Sequence, residues 1–204
     1  MTETLRTRPR QSCRFPANPM RSSLKGAREE TERWTMTQIL LTPDCEKCAA
    51  LCCVCLAFDK SEDFPIDKPN GEPCPQLSDC QTCKIYEERE QQGYRGCMHF
   101  DCLGAGQRVT QEVFGGRNWR DDPKLLDPMT RAFVIMLKVH ELLGLLDAAS
   151  RLPLTYEEMD RYDVLMSELA PAEGWTEELL EGFEGRGTEK DVHAFLKSLR
   201  HHVA

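Results

Sequence analysis

"CEKCAALCCVC" occupies residues 45–55, and five of its eleven residues are cysteine. What these thiols do decides how the surrounding chain folds. They can be bridged, bound to metal, reactive, or buried as small hydrophobes. The whole chain carries 11 cysteines in 204 residues. That odd, high count in a sequence without a secretory pattern argues against a complete disulfide framework and for thiolate–metal chemistry in a reducing, cytoplasmic setting.

Asp44, after Pro43, is a good helix N-cap, so the spacing predicts a helix over residues 44–57. On such a helix Cys45, Cys48 and Cys52 fall within roughly 60° of one another, and Cys53 points roughly 80° or more away from that stripe. A loop at Cys45-x-x-Cys48 is the other arrangement that lets two thiolates grip one ion, as in zinc knuckles. Either way the stretch supplies too few ligands by itself. Cys74, Cys80, Cys83, Cys97 and Cys102 are the downstream candidates, several beside Pro or Gly, as in "EPCPQL" and "RGCMHFDC". Eight thiolates suffice for two four-ligand sites.

Working outward, residues 1–36 are rich in Arg, Pro, Ser and Thr without periodicity and read as a disordered basic tail. Residues 1–28 hold six arginines and one lysine against the single acid Glu3, while the whole chain has a net charge of -8. The body is therefore strongly acidic, which argues against general nucleic-acid binding. Cys13 lies in the tail and is assigned to no site. Residues 42–122 form a loop-rich cysteine unit, with "DKPNGEPCP" a turn signal. Further helices are expected over residues 83–92, stopping at Gly93, and from "GAGQRVTQEVF", closed by Gly115 and Gly116.

Residues 124–204 read as helical. Phe133, Met136, Leu137, His140, Leu143 and Leu146 recur at helical spacing. Lys138, His140, Glu141 and Asp147 interrupt this apolar stretch, so it is no membrane span. Pro153 ends it. Thr155 and Glu158 form a capping-box pair, and Thr188 caps a last helix. There is no internal repeat. The fold class is therefore mainly α: a small cysteine-rich domain followed by a helical region.

The order of motifs resembles a known family. "CEKCAALCC", "CPQL" at residues 74–77, "CKIYEER" at 83–89 and "CMHF" at 97–100 are similar to the Cys-x-x-Cys-x-x-x-Cys-Cys zinc- or iron-chelating (YkgJ-type) family. That family has Arg-Pro after its Ile-Tyr element, whereas Glu90 follows Arg89 here. "DKPNGEPC", "GYRGC" and "DCLGAGQRVTQEVFGGRNWR" resemble more closely the N-terminal cysteine-rich domain of bacterial pentapeptide-repeat proteins, without the repeats. The resemblance implies metal binding by Cys45, Cys48, Cys52, Cys53, Cys74, Cys83, Cys97 and Cys102, and leaves Cys55 and Cys80 as extras. Because the family includes a flagellin lysine methylase, it also implies methyl transfer as an alternative.

The expected cofactor is zinc, favoured by loop-poised thiols, with iron or an iron–sulfur cluster as the alternative kept open by the Cys52-Cys53 pair. Gly104 and Gly106 in "GAGQ" read as a turn opening a helix rather than a cofactor fingerprint. His99 reads as exposed, His140 as a satisfied core histidine, and His193, His201 and His202 as surface residues. Asp63 and Asp101 are candidate supports for ligands. No nucleophile–base pair stands out, so no catalytic site is expected. The expected partners are the metal ion and a protein engaging the C-terminal helices.

Overall fold

The computed structural model describes residues 41–203. The expected basic tail and Cys13 lie outside these residues. Among the described residues the protein is mainly α-helical, with pairing of β type confined to two isolated antiparallel bridges, Phe58–Lys68 and Leu77–Cys83.

The centre of the fold is a long helix near the middle of the described chain. The cysteine-rich part contributes the short helices α1 (Leu51–Cys55), α2 (Gly96–His99) and α3 (Ala105–Arg108), and α3 continues as a π-helical turn over Val109–Val113. The central helix α4 (Leu126–Ala149) follows a turn at Pro123–Leu125, where the Asp122 carboxylate accepts the Lys124 N–H at 3.2 Å. Its apolar spacing produces the expected inward face, with Met129, Phe133, Met136, Val139, Leu143 and Leu146 fully buried.

The helices α5 (Tyr156–Leu169), α6 (Glu177–Glu181) and α7 (Thr188–Ser198) all pack against α4, as do α1 and α3. One core cluster therefore joins Leu51 and Val54 from the cysteine-rich part to Leu165, Leu180 and Phe195 from the helical part. The capping box forms as read: the Glu158 N–H donates to Thr155 Oγ1, and the Thr155 N–H donates to the Glu158 carboxylate at 2.8 Å. No helix among the described residues is long and apolar enough to cross a membrane.

Three local expectations change. The helix expected over residues 44–57 is broken. Asp44 caps only the single turn Cys45–Lys47, and Ala50 then turns left-handed at φ 56° before α1 begins. Packing enforces the break: the Ala49 N–H donates to Thr110 Oγ1 at 3.0 Å, while the Trp119 indole N–H donates to the Ala49 carbonyl at 2.7 Å. The helix expected over residues 83–92 shrinks to the turn Tyr86–Glu88. Cys83 is held in its bridge to Leu77, and residues 86–88 and 90–92 are exposed, leaving no continuous apolar face to support a longer helix. Finally, Thr188 sits inside α7, whose cap is Gly187 at φ 80°, and its hydroxyl donates to Glu168 at 2.7 Å.

Candidate metal centre

The break at Ala49–Ala50 shapes the first part of the site. With Ala50 left-handed, the N–H groups of Leu51 and Ala50 both donate toward the Cys48 sulfur. The same arrangement recurs downstream, where the Gln76 N–H donates to Cys74 and the Ile85 N–H to Cys83. Backbone N–H groups converging on a sulfur favour its thiolate and fix its direction. This is loop geometry, so the consecutive helical stripe of Cys45, Cys48 and Cys52 does not exist as drawn from periodicity.

The charge interactions between thiols sort them into two neighbourhoods. Cys102 and Cys45 both act on Cys48; Cys102 also acts on Cys45, and Cys48 and Cys102 act on Cys52. Around Cys53 stands a second set: Cys53 and Cys83 act on Cys74, Cys53 acts on Cys83, and Cys53, Cys74 and Cys83 act on Cys97. Cys45, Cys48, Cys52 and Cys102 thus lie within electrostatic range of one another, as do Cys53, Cys74, Cys83 and Cys97. The sets meet at neighbouring residues, with Cys52 Sγ 3.9 Å from Cys53 Sγ. Cys53 also acts on Cys45, so the boundary is a shared edge.

The fold places each member by specific contacts. Leu103, left-handed at φ 49°, follows Cys102, and its carbonyl lies 2.5 Å from His140 Nδ1. Leu103 N–H donates to Asp101 at 2.7 Å, so Asp101 shapes the turn at Cys102. Cys74 is drawn beside α1 by donation of its N–H to the Cys53 carbonyl at 2.9 Å. Cys97 follows Gly96, which lies against the Phe64 ring, and Phe64 stacks on Phe58 with centroids 4.1 Å apart. Asp63 accepts the Gly96 N–H through its backbone carbonyl at 3.2 Å, and no bond from its side chain to a thiol supports the expected role.

Burial dominates the electrostatics. It pushes the Cys48 thiol up to about 12 and Cys97 to about 11, and it raises Cys45, Cys74 and Cys83 as well. The hydrogen-bond contact between Cys52 and Cys53 raises Cys52 and lowers Cys53. Two cations act against the rise from burial in the second set. Arg89 acts on Cys53, Cys83 and Cys97, and on Cys45 of the first; its Nη1 donates to the Cys97 carbonyl at 3.3 Å. Lys68, 4% exposed, acts on Cys53 and Cys74 and donates to the Val54 and Pro69 carbonyls, each at 3.0 Å.

These donor sets suit a soft divalent ion: four sulfurs each, with N–H groups and cations around them. Among the described residues, no three of the thiols converge within 4.8 Å, so an ion would have to draw its ligands inward. A cleft of about 250 Å³ lies against Cys45 and Cys48, lined also by Gln81, Thr110, Gln111 and Asn118.

Other residues take different places. Cys55 is buried in the core with its Sγ 3.2 Å from Thr130 Oγ1, and Cys80 is not one of the nine free thiols of the described chain. His99 is exposed. His140 is fully buried, and among the described residues only one of its ring nitrogens is satisfied, Nε2 having no hydrogen-bond partner there. Sequence reasoning missed Lys68, the packing of Gly106 on Cys48 and a convergence of Glu158, His201 and His202 within 4.8 Å. His202 is only 10% exposed, not a surface residue. Arg89 had a signal, its place in "CKIYEER", but nothing in that string states that it faces thiols.

No family model matches the chain, and no solved structure matches it. The chain is similar to the uncharacterized protein YybG of Bacillus subtilis (strain 168), with 38% identity over 138 residues, covering 63% of this chain and 50% of that protein. The protein is thus a cysteine-rich, mainly helical chain that spans about half the length of a bacterial relative.

Proposed function

We propose that this is a metal-binding protein in which two zinc ions organise the cysteine-rich part. Cys45, Cys48, Cys52 and Cys102 hold one ion, and Cys53, Cys74, Cys83 and Cys97 hold the other. The observation that carries this reading is the sorting of eight thiols into two sets of four, with backbone N–H groups already aimed at Cys48, Cys74 and Cys83. The resemblance to the zinc- or iron-chelating family supports it. The role is structural, because the knuckle is tied into the helical core through Ala49, Thr110 and Trp119. Exposed Val134, Leu145 and Val164 on the helices give a protein partner apolar surface to engage. Nine free thiols among the described residues suit a reducing compartment such as the cytoplasm.

The alternative reading is an iron–sulfur protein with redox or methyl-transfer chemistry. The 3.9 Å contact between Cys52 and Cys53, which joins the two sets, favours it over separate mononuclear sites. Purification without air, followed by metal analysis and a visible spectrum, separates the two. Colourless protein with about two zinc ions supports the first reading. Brown protein containing iron and acid-labile sulfide supports the second. Protein that retains neither metal and keeps its fold in chelator overturns both.

A further inference from the structure

The end of the described chain returns to the start of α5. There Glu158, in the first turn of α5, meets His201 and His202 from the closing turn Leu199–His202, and three donor atoms converge within 4.8 Å. His202 Nε2 is 3.0 Å from Glu158 Oε2, and His201 Nε2 is 3.4 Å from Glu158 Oε1. The group shares no residue with the thiol sets.

Three observations distinguish it from an ordinary surface ion pair. First, the carboxylate is fixed in place by the capping box: Oε2 accepts the Thr155 N–H at 2.8 Å and the Thr155 hydroxyl at 3.0 Å. Second, the contact of His201 Nδ1 with the Ser198 carbonyl at 3.0 Å fixes its tautomer. A carbonyl only accepts, so Nδ1 carries the proton, and the neutral ring turns its Nε2 lone pair toward Oε1. Two acceptors facing each other are joined by a proton or by a metal ion, and the lone pair is aimed where a metal would take it. A carbonyl holding the remote ring nitrogen is the usual support of a metal-ligating histidine. Third, the two imidazole centroids are only 4.0 Å apart. Both Nε2 atoms therefore reach the same carboxylate from adjacent rings, an arrangement in which one divalent ion takes all three donors.

We propose that Glu158, His201 and His202 form a metal site for a first-row divalent transition ion, with zinc the preferred occupant. Two imidazole nitrogens and one carboxylate oxygen suit zinc, cobalt, nickel or copper, and are a poor set for calcium or magnesium. Glu158 and His202 are largely enclosed, at 16% and 10% exposure, and His201 at 59% forms the open side, where water completes the shell. The ion clamps the turn Leu199–His202 onto the start of α5.

The test uses the untagged full chain with its thiol sites first saturated with zinc and excess removed. Zinc is then titrated calorimetrically into wild type, H201A and E158Q. Glutamine still accepts the Thr155 bonds, so E158Q keeps the capping box while losing the ligand charge. Wild type is expected to take up one further equivalent, with affinity at least tenfold weaker in either variant. Nitrogen NMR of wild type is expected to show large shifts of both Nε2 resonances during the same addition. No further equivalent in wild type, or unchanged binding in H201A and E158Q, overturns the proposal. Because the thiols are saturated beforehand, this result is independent of which metal they hold.

Discussion

Gly106 and Cys48 occupy adjoining space so tightly that a Cβ on Gly106 would stand 2.6 Å from Cys48 Sγ. The helix α3 therefore passes the first thiol set at the distance only a glycine permits. Replacing a helical glycine by alanine ordinarily stabilises a protein by about 0.5–1 kcal/mol. Here the sign reverses. Gly106→Ala displaces the Cys48 sulfur, and metal analysis is expected to show about one zinc ion lost together with a lower melting temperature. A variant with full zinc content and a raised melting temperature contradicts the proposed first site.

The two sets of four predict separable losses. Cys48→Ser and Cys74→Ser each remove a ligand from a different set, so each is expected to lose about one ion while retaining the other. Combining them removes both. If either single change empties the protein, the thiols form one shared centre across the Cys52–Cys53 contact.

Arg89 places its charge near Cys45, Cys53, Cys83 and Cys97, opposing the rise that burial imposes on three of them and adding to the lowering of Cys53. Arg89→Met is expected to slow alkylation of these thiols in the metal-free protein by on the order of threefold at mildly alkaline pH, because less thiolate is present. Arg89→Lys restores most of the rate. Mass-spectrometric mapping of the modified peptides reads the effect cysteine by cysteine, and equal slowing of Cys55, a core thiol governed by burial, Thr130 and Lys68, contradicts a direct charge effect of Arg89.

His140 carries a pH dependence of its own. Burial lowers it from 6.5 to about 4. The unfolded chain therefore binds a proton that the folded chain refuses between these values, so the stability linked to the neutral ring is complete above pH 6.5 and is lost as pH falls toward 4. The loss amounts to about 3 kcal/mol at most, from the 1.4 kcal/mol carried by each pH unit. His140→Asn keeps a donor for the Leu103 carbonyl but does not titrate. Its denaturant midpoint is expected to be flatter than wild type across this range, and an identical slope assigns the dependence to other groups.

The helical region was legible because its signals are local. The apolar spacing from Phe133 to Leu146 and the Thr155–Glu158 pair lie within one or a few turns, and both produce what they predict. The knuckle was less legible. Asp44 announces a helix, but the left-handed turn falls on Ala50, an alanine where glycine is the usual marker, and the groups that enforce it are Thr110 and Trp119, some 60 or 70 positions away. His201 and His202 read as a helix end because their partner Glu158 lies 44 positions earlier and already had a local explanation as a cap.

The two thiol sets are nested along the chain. Cys53, Cys74, Cys83 and Cys97 all fall between Cys52 and Cys102, so the inner set is complete before the last outer ligand has been synthesised. On the proposed assignment, an inner ion bound as the chain emerges from the ribosome closes its loop first. That closure brings α1 and residue 97 together, leaving only a short segment to deliver Cys102 to its partners. On that assignment the order of the cysteines sets an order of assembly, in which the proposed outer site, beside Gly106 of α3 and the Leu103–His140 contact with α4, joins the metal loop to the helices.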